Sequence, residues 1–168
     1  MILVTVGTQL PFDRLVRTVD EWARAAGRKD VFAQIGSSAY RPRHLESVEC
    51  LTPAEFRQRA SSAALIISHA GVGSILTALE LCKPVVVMPR RAALGEHRND
   101  HQVATSQRFV NLANVRVAFN EEELLATLLA LDFNEMTRSL AAYASPELLA
   151  RIREFVRAAP ARTRYWRR

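Results

Sequence analysis

Four residues in the run SHAGVGS carry the strongest chemical signal: His69, Gly71, Gly73 and Ser74, set between an apolar stretch, LIISH, and a helix-periodic one over residues 72–82. The two glycines allow a ligand to approach the backbone closely and permit any positive φ the turn requires. A helix that begins beside Ser74 leaves its first N–H groups unpaired and points its positive dipole end outward, which suits an anion such as a diphosphate. His69 ends its strand beside that turn, where it either donates a hydrogen bond to the anion or is satisfied by backbone. The glycines likewise admit a packing explanation. Further on, RRAALGEHRNDHQ sets Arg90, Arg91 and Arg98 near His97, Asp100, His101 and Gln102. Three guanidinium groups beside an anion site can grip a carboxylate or phosphate in bidentate fashion, or simply form a solvated face. His97 and His101 have a helical metal-ligand spacing, but Gly95 keeps His97 in a loop, so no metal is expected. His101 and Gln102 suit the reading of ligand hydroxyls.

These residues need a scaffold that brings distant turns to one edge, and the periodicity supplies it. Short apolar runs at residues 2–6, 31–35, 65–69, 85–88 and 115–119 read as strands, with a further one expected at 48–51. Between them lie an amphipathic helix over residues 12–26 stopped by Gly27, and a helix over 53–61 announced by the capping box Thr52-Pro53-Ala54-Glu55. Helices follow at about 100–112 and, capped by Asn120, to about residue 131; residues 39–47 read as a loop. Strands alternating with helices give an α/β fold, a doubly wound parallel sheet of Rossmann-like type, with the glycine-bearing turns after residues 6, 35 and 70 meeting at its carboxyl edge. The domain is expected to occupy residues 1–133. A helical extension follows over 134–168, with a last helix opening at Pro146 and a basic tail.

Composition narrows the function classes. The net charge of +6 resides in the tail, where residues 151–168 hold seven arginines and one glutamate, while the other 150 residues balance at 16 basic and 16 acidic. A neutral body with a basic tail disfavours nucleic acid as a partner and favours an acidic protein or an anionic membrane surface. Cys50 and Cys82 fit no metal or redox motif and are expected to be buried thiols of a reducing compartment. No membrane span or signal peptide is expected, so the chain reads as cytoplasmic. Neither the GxGxxG of a dinucleotide site nor a Walker lysine follows a strand, and no cofactor is expected.

SHAGVGS, LELCKPVVVMP and NDHQ together resemble the C-terminal, donor-binding half of the GT-B glycosyltransferases of the family 28 type. The opening VTVGTQLPFDRLV is similar to the stand-alone subunits made of that half alone: the eukaryotic catalytic subunit for dolichol-linked N-acetylglucosamine, and bacterial exopolysaccharide glucuronosyltransferase subunits. RRAALGEHRNDHQ is most like the second group. The resemblance implies that Gly71, Gly73 and Ser74 cradle the UDP diphosphate with His69 alongside, that Gly7 and Thr8 line the same cleft, and that His101 and Gln102 read sugar hydroxyls. Related enzymes place a ribose-binding glutamate seven residues before the proline matched by Pro84; Thr77 stands there, with Glu80 about one turn on.

The resemblance also implies a divided enzyme: this chain binds the UDP-sugar, and a membrane-anchored subunit brings a lipid-linked saccharide acceptor and the general base. The chain would then sit peripherally at the inner face of the cytoplasmic membrane through its partner, with the helix from Pro146 and the tail as the docking element or as a solvated terminus. An arginine of the 90–98 group would pair the carboxylate of a UDP-glucuronate donor. Two other readings use the same cleft: a non-catalytic UDP-sugar-binding or assembly subunit, and half of a nucleotide-sugar epimerase.

Overall fold

Continuous apolar runs form strands that are buried on both faces, which is the condition of an interior parallel sheet. The computed structural model describes residues 1–112 and 114–131. Within them β1 (Ile2–Thr5), β2 (Val31–Gln34), β4 (Leu65–His69) and β5 (Val85–Met88) are almost wholly buried. The shorter β3 (Glu46–Val48) and β6 (Val115–Val117) form the edges. All pairings are parallel and the strand order is β3-β2-β1-β4-β5-β6. This is the doubly wound order expected, and it reverses between β1 and β4.

Side chains alternate between two cores. Ile2, Val4, Leu65, Ile67, Val86 and Met88 face α1 (Asp13–Ala25) and α5 (Glu121–Ala130). Leu3, Phe32, Ile66, Val85 and Val87 face the opposite layer, where Ala60 of α2 (Pro53–Ser62), Ile75 and Ala78 of α3 (Val72–Glu80) and Phe109 of α4 (His101–Phe109) pack. Several caps match the sequence signals. Thr52 and Glu55 form the reciprocal capping box of α2, and the Asn120 side chain accepts from the Glu123 N–H at the start of α5. Gly27, at φ 61°, closes a Schellman motif after α1, with Arg28 N–H donating to the Ala23 carbonyl at 2.9 Å.

Four local expectations change. The strand expected at 48–51 is β3, two residues earlier; being an edge, it needs no apolar run, and Glu46 is exposed on it. Neither cysteine is buried: Cys50 is exposed and Cys82 half-buried. Cys82 is not helical either but is the residue after α3 that adopts φ 54°, with Lys83 N–H donating to the Ala78 carbonyl at 2.8 Å, so α3 ends in a Schellman turn before Pro84 is reached. The helix ends near residues 112 and 26 retract to Phe109 and Ala25. The expected helical pieces from residue 134, the helix at Pro146 and the basic tail lie outside the described residues.

Candidate functional site

A cavity of about 540 Å³ opens where the strand order reverses, at the carboxyl ends of β1 and β4. Open α/β sheets bind ligands at this place because neighbouring connections diverge to opposite faces and leave a crevice. One wall is the turn after β1, through Gly7, Thr8 and Gln9; another is the start of α3, with Gly71, Val72 and Ser74. His97 closes it from the β5–α4 connection and His101 and Gln102 from the first turn of α4, while Leu51, Pro53 and Phe56 add an apolar side at and before the start of α2.

His69 sits at the centre, and the glycines exist largely for it. A Cβ on Gly7 would lie 2.6 Å from His69 Cε1, and one on Gly71 would collide with His69 Nε2 and lie 2.9 Å from Cε1. The imidazole therefore occupies the space two missing side chains leave. Gly7 also takes φ 75°, whereas Gly71 has an ordinary extended conformation, so the positive φ belongs to the first turn and not to the HAGVGS turn. Gly73 is different again: a Cβ there would meet nothing within 4 Å. Burial above all, then the charges of Arg90 and His97, push the His69 ring down to about 4, against an opposing hydrogen bond to the Thr5 main chain. At neutral pH the ring is uncharged, its single N–H engaged by the Thr5 main chain and its other nitrogen left as an acceptor. Gly71→Ala should cost about 1–3 kcal/mol of stability, because the ring is confined on its other side by Gly7. Urea unfolding checks this, and unchanged stability would mean the ring swings clear.

The anion-binding feature expected from the sequence has the required geometry. Gly71 caps α3 without a side-chain acceptor, the first turn carries no acid, and the N–H groups of Val72, Gly73 and Ser74 have no acceptor one turn earlier. Val72 and Ser74 line the cavity, so the positive end of α3 faces it.

The structure separates the other candidates. Gln102 is 7% exposed and its Oε1 accepts the Arg90 backbone N–H at 3.2 Å, which leaves its amide N–H groups for the cavity. His101 lines the cavity, next to Asn99, whose Oδ1 takes the His101 backbone N–H. Thr77 returns its hydroxyl to the Gly73 carbonyl at 2.9 Å, and Glu80 pairs with Arg57 of α2 at 3.4 Å on the exposed side; neither lines the cavity. Glu80 stands about 9 Å along the helix axis from Ser74, too far to take over a site at the helix N-terminus. The three arginines part company. Arg90 lines the cavity but is 1% exposed and bonded to backbone carbonyls, Arg91 donates to the Phe119 carbonyl at 2.8 Å, and Arg98 is exposed between His97 and His101; neither Arg91 nor Arg98 itself lines the cavity. His97 stays in the loop that Gly95 predicts, its Nδ1 against the Asn99 backbone, and no metal-binding cluster occurs among the described residues.

Two cavity features escape sequence reading. Gln34 ends β2 as the polar residue in VFAQI. It accepts from the Thr5 hydroxyl at 2.7 Å and donates to the carbonyls of Gly7 and Glu49, tying the ends of three strands together. Its polarity inside an apolar run was the available signal. Phe56 stands on the capping-box helix, where a lone aromatic gives no hint that it faces a cleft.

An open, doubly wound α/β domain with a helix N-terminus facing a cavity at its switch point has the architecture that nucleotide-binding domains share. The chain belongs more narrowly to the glycosyltransferase family 28 C-terminal domain family, which matches residues 1–156. Over 75 residues it is 39% identical to the UDP-N-acetylglucosamine transferase subunit ALG13 of Eremothecium gossypii, a match covering 45% of this chain and 35% of that protein. The chain thus matches about a third of that relative's length. Among solved structures, ALG13 in solution superposes with a TM-score of 0.58 at 20% identity, covering 95% of this chain and 96% of that one. MurG of Acinetobacter baumannii superposes with a TM-score of 0.60 at 18% identity, covering 92% of this chain but only 49% of its own. At such identities the likeness is one of fold, and it places this domain beside half of a GT-B enzyme.

Proposed function

We propose that the chain is the donor-binding, catalytic subunit of a two-component UDP-sugar glycosyltransferase, transferring glucuronic acid to a lipid-linked acceptor during exopolysaccharide synthesis. The observation that carries this reading is the meeting of the α3 N-terminus, the neutral His69 ring and the Gly7–Thr8 turn on one cavity of about 540 Å³, a size suited to a nucleotide sugar. The unpaired N–H groups of α3 hold the diphosphate and stabilise the negative charge that grows on it as the bond from the sugar breaks. His69, its one N–H held by the Thr5 main chain, presents its other ring nitrogen to a hydroxyl of the sugar beside them. His101 and the amide of Gln102 receive sugar hydroxyls, and the apolar side formed by Leu51, Pro53 and Phe56 takes the base. Among the described residues no carboxylate lines the cavity, which supports a general base on a second, acceptor-carrying subunit.

That partner is proposed to be membrane-anchored, and this subunit to reach the inner face of the membrane through it. No helix among the described residues is long and apolar enough to cross a membrane. With Arg90 and Arg91 engaged by backbone carbonyls, Arg98 is the arginine assigned to a uronate carboxylate. Arg98→Ala should weaken UDP-glucuronate binding about two- to fivefold, the range of an exposed ion pair, and leave UDP-glucose unaffected. Calorimetric titration of both donors checks this; equal loss for the two removes the uronate assignment. Absence of any UDP binding removes the nucleotide reading altogether. UDP binding without transfer in the presence of the co-purifying membrane subunit would favour a non-catalytic subunit.

A further inference from the structure

Arg90 is the largest side chain among the fully buried ones, and no carboxylate lies within ion-pair distance of it among the described residues. Burying a cation this way is costly unless its donors are satisfied. They are satisfied by main chain. One terminal nitrogen donates to the carbonyls of Pro11 and, at 3.4 Å, Glu96; the other donates to those of Leu10 and, at 2.7 Å, Val6. The guanidinium also lies 4.7 Å above the Phe12 ring, at the start of α1. Three of the four carbonyls belong to the β1–α1 connection and the fourth to the β5–α4 connection. The first connection carries Thr8 and the second leads into Gln102 of α4, and both residues line the cavity.

We propose that Arg90 is a positioning residue of the donor site, a clamp that joins the β1–α1 and β5–α4 loops into one unit around His69. The role rests on the nucleotide-sugar reading for what the site binds, and on the hydrogen bonds alone for the clamp. A guanidinium is suited to it, since its planar fork spreads donors to four acceptors at once, whereas a lysine ammonium gathers three donors at one point. The backbone N–H of the same residue orients Gln102.

Two variants of the full chain, Arg90→Lys and Arg90→Gln, test the clamp by three measurements: amide hydrogen exchange, UDP calorimetry and the NMR titration of the His69 ring. In both variants amides of residues 7–12 and 96–102 should lose protection while β1 and β4 keep theirs, and UDP affinity should fall about tenfold through lost pre-organisation. The His69 midpoint should rise in both variants, because loosened loops hydrate the ring, and further in Arg90→Gln, which also removes the neighbouring charge. A role confined to overall stability would leave the UDP affinity of folded Arg90→Lys and its His69 midpoint at their native values. Native exchange and native UDP affinity in Arg90→Lys overturn the proposal, and if Arg90→Gln fails to fold, Arg90→Lys decides alone. Should the native chain not bind UDP, the nucleotide reading fails, and loop exchange still judges the clamp: unchanged protection refutes it.

Discussion

Replacing Glu96 by alanine should lower stability by about 3 kcal/mol, the lower part of the range for removing one partner of a buried ion pair. The Glu96 carboxylate receives Arg14 Nε at 2.7 Å and Arg14 Nη2 at 2.9 Å, and also the Arg91 backbone N–H at 2.9 Å. Both side chains are 11% exposed, so water can replace little of what is lost. Arg14 would keep the Pro89 carbonyl and Glu121, and Glu121 is 46% exposed, which is why the lower figure is expected. The pair fastens the loop after β5 to α1, and with it the residues that lead to His97 and His101. Urea unfolding of Glu96→Ala, Arg14→Met and the double variant should show a coupling well above that of a surface pair. A loss under about 1 kcal/mol for Glu96→Ala would show the pair to be effectively solvated.

His69→Asn should slow sugar transfer by about tenfold, the effect of losing one hydrogen bond between the ring and the reacting sugar. Transfer by the native protein should not respond to His69 ionisation above about pH 5, since the ring charges only near 4. The same depression has a stability consequence whose sign is fixed by linkage. In the unfolded chain the ring takes a proton near 6.5, in the folded protein only near 4. Between these values the unfolded state binds more protons, so stability is full above about pH 6.5 and declines as pH falls towards 4, by up to about 3 kcal/mol. His69→Asn should flatten that decline. Denaturant midpoints at pH 7 and pH 5 for the two proteins measure it, and parallel losses would mean that the acid sensitivity resides in other groups. Loss of transfer with UDP affinity retained would place His69 on the reacting sugar; equal loss of both would place it on a hydroxyl of the nucleotide.

The local signals held up where the physics is local. Thr52 and Glu55 cap α2 because their partners are three residues away, and β4 and α3 form on either side of HAGVGS because the hydrophobic period changes there. Edge strands are weaker cases: β3 pairs through backbone, so its side chains carry little record of it, and its position shifted. The cysteines illustrate the same limit, since exposure is a property of what else packs nearby.

The arginine group shows where sequence reading stops. Arg90, Arg91 and Arg98 are alike in the chain, yet Arg90 finds its carbonyls about eighty residues back at Val6, Leu10 and Pro11, and Arg91 reaches forward to Phe119. Gly71 and Gly73 are likewise equivalent as letters, but one is small to admit His69 and the other faces open space. By itself, then, the sequence determined the alternation of strands and helices, the parallel sheet and the helix start straight after β4, because each rests on neighbours within a helical turn or a strand's pleat. The tertiary structure alone decided which arginine clamps loops, which glycine makes room for the imidazole, and that the imidazole stays uncharged. Those outcomes depend on burial and on contacts between segments that meet only when the sheet has assembled.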